Sequence, residues 1–406
     1  MKAISIFLFM ITGLELCSGQ GIWKSYTPSN SGIPFSSVNS VEVDDQDHVW
    51  ISNDNSGNYY HVSRFDGSSF SSAFQGGWVD DITVDHNDHV WISIMGELRE
   101  WDGSTWHAHS PGLSAFWLWP IEADHQGNIW ISDYFDKHIY RYDGSSTMQI
   151  TTAMGLPSEH ISCMKRTSNG IFIGTTDGGL AFYNGSTFTV YNTLNSALSS
   201  NHIFDMDIRN DTLFMILINS DLALLHNGTV SLISDPLLEY GRITIDPQGA
   251  IWIAAYGTGI IQYTLSGAFT LYDFSSWPVL DPWNQYHCID SDQDGHIWVG
   301  SQQTGLLEFD PSGTSGFSGY LLPAIEIIWI KDGAGHLNAR IHLPAASMVK
   351  LELFDRLGRL VAASAQNQHA AGWSDIPCSL GELRTGHYLF RLITNGRCLS
   401  GKVLVE

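Results

Sequence analysis

One unit recurs seven times along this chain, and that recurrence limits the fold more than any other feature. The unit reads apolar-x-x-Asp-x-x-(Gly/Asp)-x-(Ile/Val)-Trp-Ile-(Ser/Gly), followed by a loop and an aromatic-Asp-Gly-Ser turn. Its Trp, or an equivalent Phe, falls at Trp50, Trp91, Trp130, Phe172, Phe214, Trp252 and Trp298, at spacings of 41, 39, 42, 42, 38 and 46 residues. Six positions earlier stand Asp44, Asp85, Asp124, Asp246 and Asp292; the fourth and fifth copies carry Arg166 and Ile208 instead. Within one copy, Val41–Val43 and Val49–Ile51 are β-prone runs joined by turn chemistry at Asp44–His48. A second turn repeats as Asp66-Gly67-Ser68, Asp102-Gly103-Ser104, Asp143-Gly144-Ser145 and Asn184-Gly185-Ser186, among the strongest hairpin signals. Phe70, Trp106, Phe188 and Phe269 then open a fourth strand. Four strands per roughly 40 residues is the period of a propeller blade, and no helical period competes with it.

The fold class expected is all-β, a seven-bladed β-propeller over residues 20–316 followed by a small immunoglobulin-like β-sandwich over 322–406. The seventh copy lacks a clear fourth strand after Leu306–Asp310, and Ile22–Tyr26 resembles the outer strand Phe188–Tyr191. Supplying the missing strand from the N-terminus would remove the open edge of the ring. Gly155-Leu156-Pro157-Ser158-Glu159-His160-Ile161, Thr176-Asp177-Gly178-Gly179-Leu180 and Asp292–Gly300 resemble two-component-regulator propeller repeats, over about residues 22–315. In that family such repeats often form the periplasmic sensor of a hybrid histidine kinase. No kinase or receiver segment follows here, so the resemblance carries recognition alone.

The two ends read as export signals. Lys2 followed by the apolar run Ile4–Leu14 fits a cleavable leader over 1–19, with Cys17-Ser18-Gly19 before the cut and Gln20 as the mature start. Leu16 is bulky where a lipoprotein site at Cys17 wants a small residue. Composition shifts after the linker-like Pro311–Gly316, and period-2 strands follow at Leu337–Leu343, Val349–Phe354, Tyr388–Thr394 and Leu399–Val405. Val349–Val361, Ala371-Gly372, Thr385–Leu392 and Lys402–Glu406 resemble the type A sorting domain of the type IX secretion system of Bacteroidetes-like bacteria; the Asn-Pro opening frequent in that family is absent. The resemblance implies passage through the periplasm and outer membrane by the type IX machinery, removal of the domain, and release or attachment at the cell surface. An adhesive or packing sandwich is the alternative.

Charge narrows the partners. The chain has 42 acids against 19 bases, a formal net charge of -23, which repels nucleic acid and anionic lipid. No segment after the leader reads as a membrane span. Cys163, Cys288, Cys378 and Cys398 lack zinc-like spacing and read as buried free thiols, with a Cys378–Cys398 pairing left open. Asp290–Gly295 imitates the start of a calcium loop, but Ser301 stands where the loop needs an acid, and a hairpin turn fits better. His48, His89 and His296 share one repeat position, so they read as turn residues and not as bases. No catalytic, metal or cofactor motif is present, and neither catalytic residue, cofactor nor metal is expected.

The repeat Trp read as core between neighbouring blades. Off-register aromatics fall in loops that share one face: Tyr59, Tyr60, Trp78, Trp117, Trp119, Tyr134, Phe135, Tyr240, Tyr256, Trp277, Trp283 and Tyr286. Of these, Trp78, Trp117, Trp119, Tyr134, Tyr256, Trp283 and Tyr286 are the candidate ligand-binding residues, because aromatics beside Asn, Asp and Gln suit stacking on sugar rings; packing over the blades is the bland alternative. The function expected is a non-catalytic recognition propeller, secreted or on the outer cell surface, binding glycan or protein. The alternatives are a propeller lyase, streptogramin-lyase-like or polysaccharide-active, and a purely structural surface protein.

Overall fold

The computed structural model describes residues 21–54, 60–113, 117–235, 238–272, 277, 280 and 285–313, and the segments 326–331, 337–343, 347–354, 360–365, 367–370, 372–376, 386–394 and 397–405. The described chain is all-β, and its one helical element is the single 3-10 turn Thr152–Met154. Gly21–Pro311 form one compact unit. It holds seven four-stranded antiparallel sheets. Their first strands are Ser37–Val43, Val79–Val84, Leu118–Ala123, Ile161–Thr167, Ile203–Arg209, Gly241–Ile245 and Tyr286–Ser291. Each first strand packs on that of the next sheet, and the seventh packs on the first. This arrangement fits a β-propeller.

Six of the sheets are simple meanders, as repeated Asp-Gly and Asn-Gly turns dictate. The seventh is composite. Ile22–Tyr26 pairs antiparallel with Leu306–Asp310, so the first strand of the unit completes the last sheet.

The repeat Asp is an anchor within its own sheet. In sheet three, Asp124 Oδ1 accepts the amides of Gln126 and Asn128 at 2.9 and 3.0 Å, which closes the turn. Its Oδ2 accepts the Trp130 indole N–H at 3.0 Å. The same indole-to-carboxylate bond joins Trp50 to Asp44, Trp91 to Asp85, Trp252 to Asp246 and Trp298 to Asp292. Each clamped Trp then packs against the following sheet: Trp50 meets Val79 and Ile82, Trp130 meets Ile171 and Ile173, and Trp298 meets Val41 and Val49. The Gly/Asp alternation of the repeat has a backbone cause. Asp47, Asp88, Gly127, Gly249 and Gly295 all sit at positive φ, between 62° and 88°, where Gly and Asp are tolerated best. Asp292, at the centre of the calcium-like sequence, is occupied by its own turn amides, His296 and Trp298.

A first strand pairs with a neighbour in its own sheet on one side only, so its other edge carries backbone N–H groups without ladder partners. Carboxylates from the preceding sheet take them. The amide of Val43 donates to Asp290 at 2.8 Å, Leu118 to Asp80 at 3.1 Å, Ile121 to Asp81 at 3.0 Å and Arg166 to Glu122 at 3.3 Å. Ile243 and Ile245 donate to Asp205 and Asp207 at 2.9 and 2.8 Å. An ionised carboxyl only accepts, and a protonated one still accepts through its carbonyl oxygen, so either state suits an edge of donors. Sequence reasoning put most acids on repeat turns; this second set lies on first strands and stitches sheet to sheet.

Those stitches set a pH dependence. Burial, the largest cause in each case, raises Asp81 and Asp290 to about 6, Glu122 to about 7 and Asp80 to about 8. A raised carboxyl binds its proton more readily folded than unfolded. Its stabilising effect is therefore full below the ordinary carboxylate range and is lost as pH rises to the folded value. Over that window the unit is expected to lose stability on going from pH 5.5 to 8, by a few kcal/mol at most and roughly a few degrees in melting temperature. Thermal melts at the two pH values test this, and Asp80→Asn, which still accepts from Leu118, should flatten the slope. A melting temperature that is level or rises between pH 5.5 and 8 contradicts it.

The second unit carries the described strands beyond Ser312. A three-stranded sheet joins Glu326–Lys331, Leu337–Leu343 and Gly372–Ile376. A five-stranded sheet is built on Ser347–Phe354, Gly386–Thr394 and Arg397–Val405, with Leu360–Ala363 and Asn367–His369 on the other edge of Ser347–Phe354. Ala339, Ile341, Val349, Leu351, Leu353, Ile376 and Leu392 are buried, the alternation expected of strands with one covered face. The strands Glu326–Lys331, Leu360–Ala363, Asn367–His369 and Gly372–Ile376 are additional to the four expected from the sequence. Cys163 and Cys288 are free thiols, and Cys378 lies outside the described residues.

Candidate functional site

Second-to-third strand loops and sheet-to-sheet connections emerge at one end of each meander. That end gathers aromatic rings. Trp117 precedes the first strand of sheet three; Tyr134 and Phe135 lie in the loop after Ile129–Asp133 of the same sheet. The rings of Trp117 and Tyr134 are 4.8 Å apart, those of Trp117 and Phe135 5.8 Å, and Phe135 is 62% exposed. Trp119 adjoins them, 6.2 Å from Tyr134. A second group packs Phe204 against Tyr240 and Tyr256 at 5.2 and 5.7 Å, with both tyrosines partly in solvent.

Arg242 joins the two groups. Its guanidinium lies 5.1 Å from the Trp119 ring and 5.4 Å from that of Phe204. Asp205 is 3.7 Å from it. Burial, the largest single cause, acts to lower the guanidinium's pKa, but Asp205 and the further acidic groups around it together hold it above its usual value. Lys137 Nζ lies 4.3 Å over the Tyr134 ring. Between them opens a cavity of about 300 Å³, walled by Trp119, Tyr134 and Phe204 and edged by Lys137, Arg242, His160 and His202. Burial lowers the His202 pKa, so the ring is neutral at pH 7.

The seven candidates divide. Trp117, Trp119 and Tyr134 come together; Tyr256 belongs to the second group; Trp78 is exposed in the connection between sheets one and two. Trp119 is a strand residue of Leu118–Ala123 and half-buried, not a loop residue. Tyr286 is corrected outright: it opens the strand Tyr286–Ser291, is 1% exposed and packs in the core with Trp252 and Leu307. Trp277 packs against the same core, and Trp283 lies outside the described residues. Sequence reasoning missed Lys137, Arg242, His160, His202 and Phe204. No repeat position marks Lys137 or Arg242, and His160 and His202 are two of seventeen histidines.

A larger cavity, about 800 Å³, lies among the Asp turns at the opposite strand ends. It opens where copies four and five replace the clamp, beside Arg166, Phe172 and Ile208. Asp45 and Asp211 line it together with Arg166 and His86, a mixture without one sign of charge. The smaller cavity combines one sign of charge with aromatic walls and is the better candidate.

No family model matches the chain, and no curated protein matches it. Solved structures do. The extracellular domain of a putative hybrid two-component system from B. thetaiotaomicron superposes with a TM-score of 0.61 at 16% identity, over 95% of this chain and 57% of that one. PorZ, an essential bacterial surface component of the type IX secretion system of Porphyromonas gingivalis, gives 0.55 at 16% identity, over 93% and 60%. Virginiamycin B lyase from Staphylococcus aureus gives 0.57 at 13% identity, over 72% and 99%. The chain thus spans less than two thirds of the first two proteins. At such identities the likeness is one of fold, and the first two are extracellular or surface proteins. No helix among the described residues is long and apolar enough to cross a membrane.

Proposed function

We propose that the protein is a non-catalytic recognition propeller, secreted or held at the outer cell surface, that binds glycan or protein through its aromatic face. In this reading the seven sheets are the blades of one closed ring over residues 20–316. Residues 1–19 are a cleaved leader, and 322–406 form an immunoglobulin-like domain that directs type IX secretion. The observation that carries the binding role is the exposed cluster of Trp117, Tyr134 and Phe135 beside a cavity edged with polar groups. Rings left in solvent at loop ends cost the protein apolar exposure that packing elsewhere would avoid. The resemblance to type IX sorting domains and the surface location of two similar structures support the export half.

Glycan and peptide arrays probed with the leaderless protein test binding. Trp117→Ala and Tyr134→Ala are expected to weaken the captured ligand by about 1 kcal/mol each, with melting temperature nearly unchanged. Turnover of a glycan or a streptogramin lactone would favour the lyase reading instead. For export, the intact mass of surface or culture-fluid protein should correspond to a start near Gln20 and loss of the chain from about residue 322. Full-length protein retained in the cytoplasm contradicts that half alone.

A further inference from the structure

We infer that the cavity between Trp119 and Phe204 is a subsite for an acidic sugar, a ring bearing a carboxylate; the inference rests on the reading of this face as glycan-binding. Three independent observations point there.

The first is charge. The chain carries 42 acids against 19 bases, yet among the described residues no carboxylate lines this cavity, whereas Lys137, Arg242, His202 and His160 do, the last paired with Asp177 at 3.0 Å. In a protein this acidic, a pocket edged only by basic and neutral groups focuses anions against the surrounding field. The second is preorganisation. The Arg242 guanidinium sits between two aromatic faces, and its one ion pair among the described residues is a long 3.7 Å contact to Asp205, so its planar fork is oriented and retains donors for an incoming carboxylate. The third is backbone cost at Lys137. Eight described non-glycine residues have positive φ, and five of them are Asp or Asn, the types that tolerate the left-handed region best. Lys137, at φ 59°, is not of that kind, and its ammonium makes no ion pair among the described residues. A glycine there would be easier on the backbone, so the side chain earns its place at the cavity edge. The walls decide between an acidic sugar and an acidic peptide. Trp119, Tyr134 and Phe204 offer flat apolar surface for a ring, and a cavity of about 300 Å³ lies at the small end of ligand pockets.

The experiment uses the leaderless protein, titrated calorimetrically with tri-galacturonate, a glucuronate-ended oligosaccharide, the methyl esters of both, and a short poly-glutamate peptide. The acids are expected to bind, and their esters, equal in shape but uncharged, to bind about tenfold more weakly or worse. Lys137→Gly should lower affinity for the acids about tenfold while leaving melting temperature level or raised, and Lys137→Arg should retain most of the affinity. Trp117→Ala should weaken acids and neutral array ligands alike. Acids and esters of equal affinity, or unchanged acid binding in Lys137→Gly, overturn the acidic-sugar assignment; a Trp117→Ala effect that persists then leaves the face itself as a glycan site. Poly-glutamate binding as tightly as the uronates overturns the sugar half. Failure of every saccharide, acidic or neutral, removes the glycan reading of the face and this subsite with it.

Discussion

A chain beginning at Ser36, without Ile22–Tyr26, is expected to melt far below the full protein or to fail as a folded monomer. The lost strand supplies five registered pairs to Leu306–Asp310. It also supplies two aromatic anchors. Trp23 is 6% exposed and lies 5.3 Å from Phe309, 5.6 Å from Tyr272 and 6.4 Å from Trp252, so it fills the core between the sixth and seventh sheets. Tyr26 packs on Phe65, Phe70 and Trp298, across the junction of the seventh and first sheets. Lys24 pairs with Glu308 and Asp310 at 3.1 and 3.2 Å, and the Tyr26 hydroxyl donates to Glu308. Deletion leaves Glu308, otherwise 5% exposed, without these partners. A large aromatic removed from a core costs about 3–5 kcal/mol, and a domain's whole stability is about 5–15 kcal/mol, so the deletion reaches the scale of the total. Trp23→Ala alone should cost about 3–5 kcal/mol. Gly305→Ala probes the same seam with one methyl group, because an added Cβ there would collide with the Tyr26 carbonyl. Equal melting temperatures for the shortened and full chains would mean that this strand is an ornament and not a closure.

Why this strand could be picked out of the sequence, and the cavity could not, follows from what repetition reveals. A repeat displays every position that each copy needs: the strand apolars, the turn Asp and Gly, and the packing Trp. Ile22–Tyr26 was legible because it matches the outer strand of another copy. The Asp–Trp bond was legible too, in a form easily overlooked. Only the copies with Phe172 and Phe214 lack the Asp, and a phenyl ring has no N–H to donate. The edge-stitching acids were harder, because Asp81, Glu122, Asp207 and Asp290 do not share one residue type at one position. Arg242 and Lys137 were illegible, since each occurs once and their neighbours come from distant copies. Tyr286 was misread because a strand start and a loop end look alike when only sequence marks the boundary.

The second large effect is expected at the Asp124–Trp130 clamp. Trp130 is 0% exposed and fills the space between sheets three and four, edge-on to Tyr183 at 5.3 Å. Trp130→Ala should therefore cost about 3–5 kcal/mol. Asp124→Ala removes the acceptor of the indole and of two turn amides together, and should cost about 3 kcal/mol, from donors left without partners in a buried turn. The informative variant is Trp130→Phe, which keeps an aromatic ring but strips the N–H that Asp124 receives. If the clamp is one unit, Asp124→Ala combined with Trp130→Phe should cost less than the sum of the two alone, with a coupling of about 1–2 kcal/mol in denaturant unfolding. Additive losses would mean that Asp124 serves its turn and Trp130 its core independently. The chain already contains the uncoupled state twice, as Arg166 with Phe172 and Ile208 with Phe214, and the larger cavity opens beside those copies. Binding on the aromatic face should survive the milder clamp variants, because Trp117 and Tyr134 lie at the opposite strand ends from the Asp turns. A variant that unfolds the unit removes both properties, whereas Trp117→Ala removes one, and paired melting and binding measurements separate a residue that builds the scaffold from one that the scaffold presents.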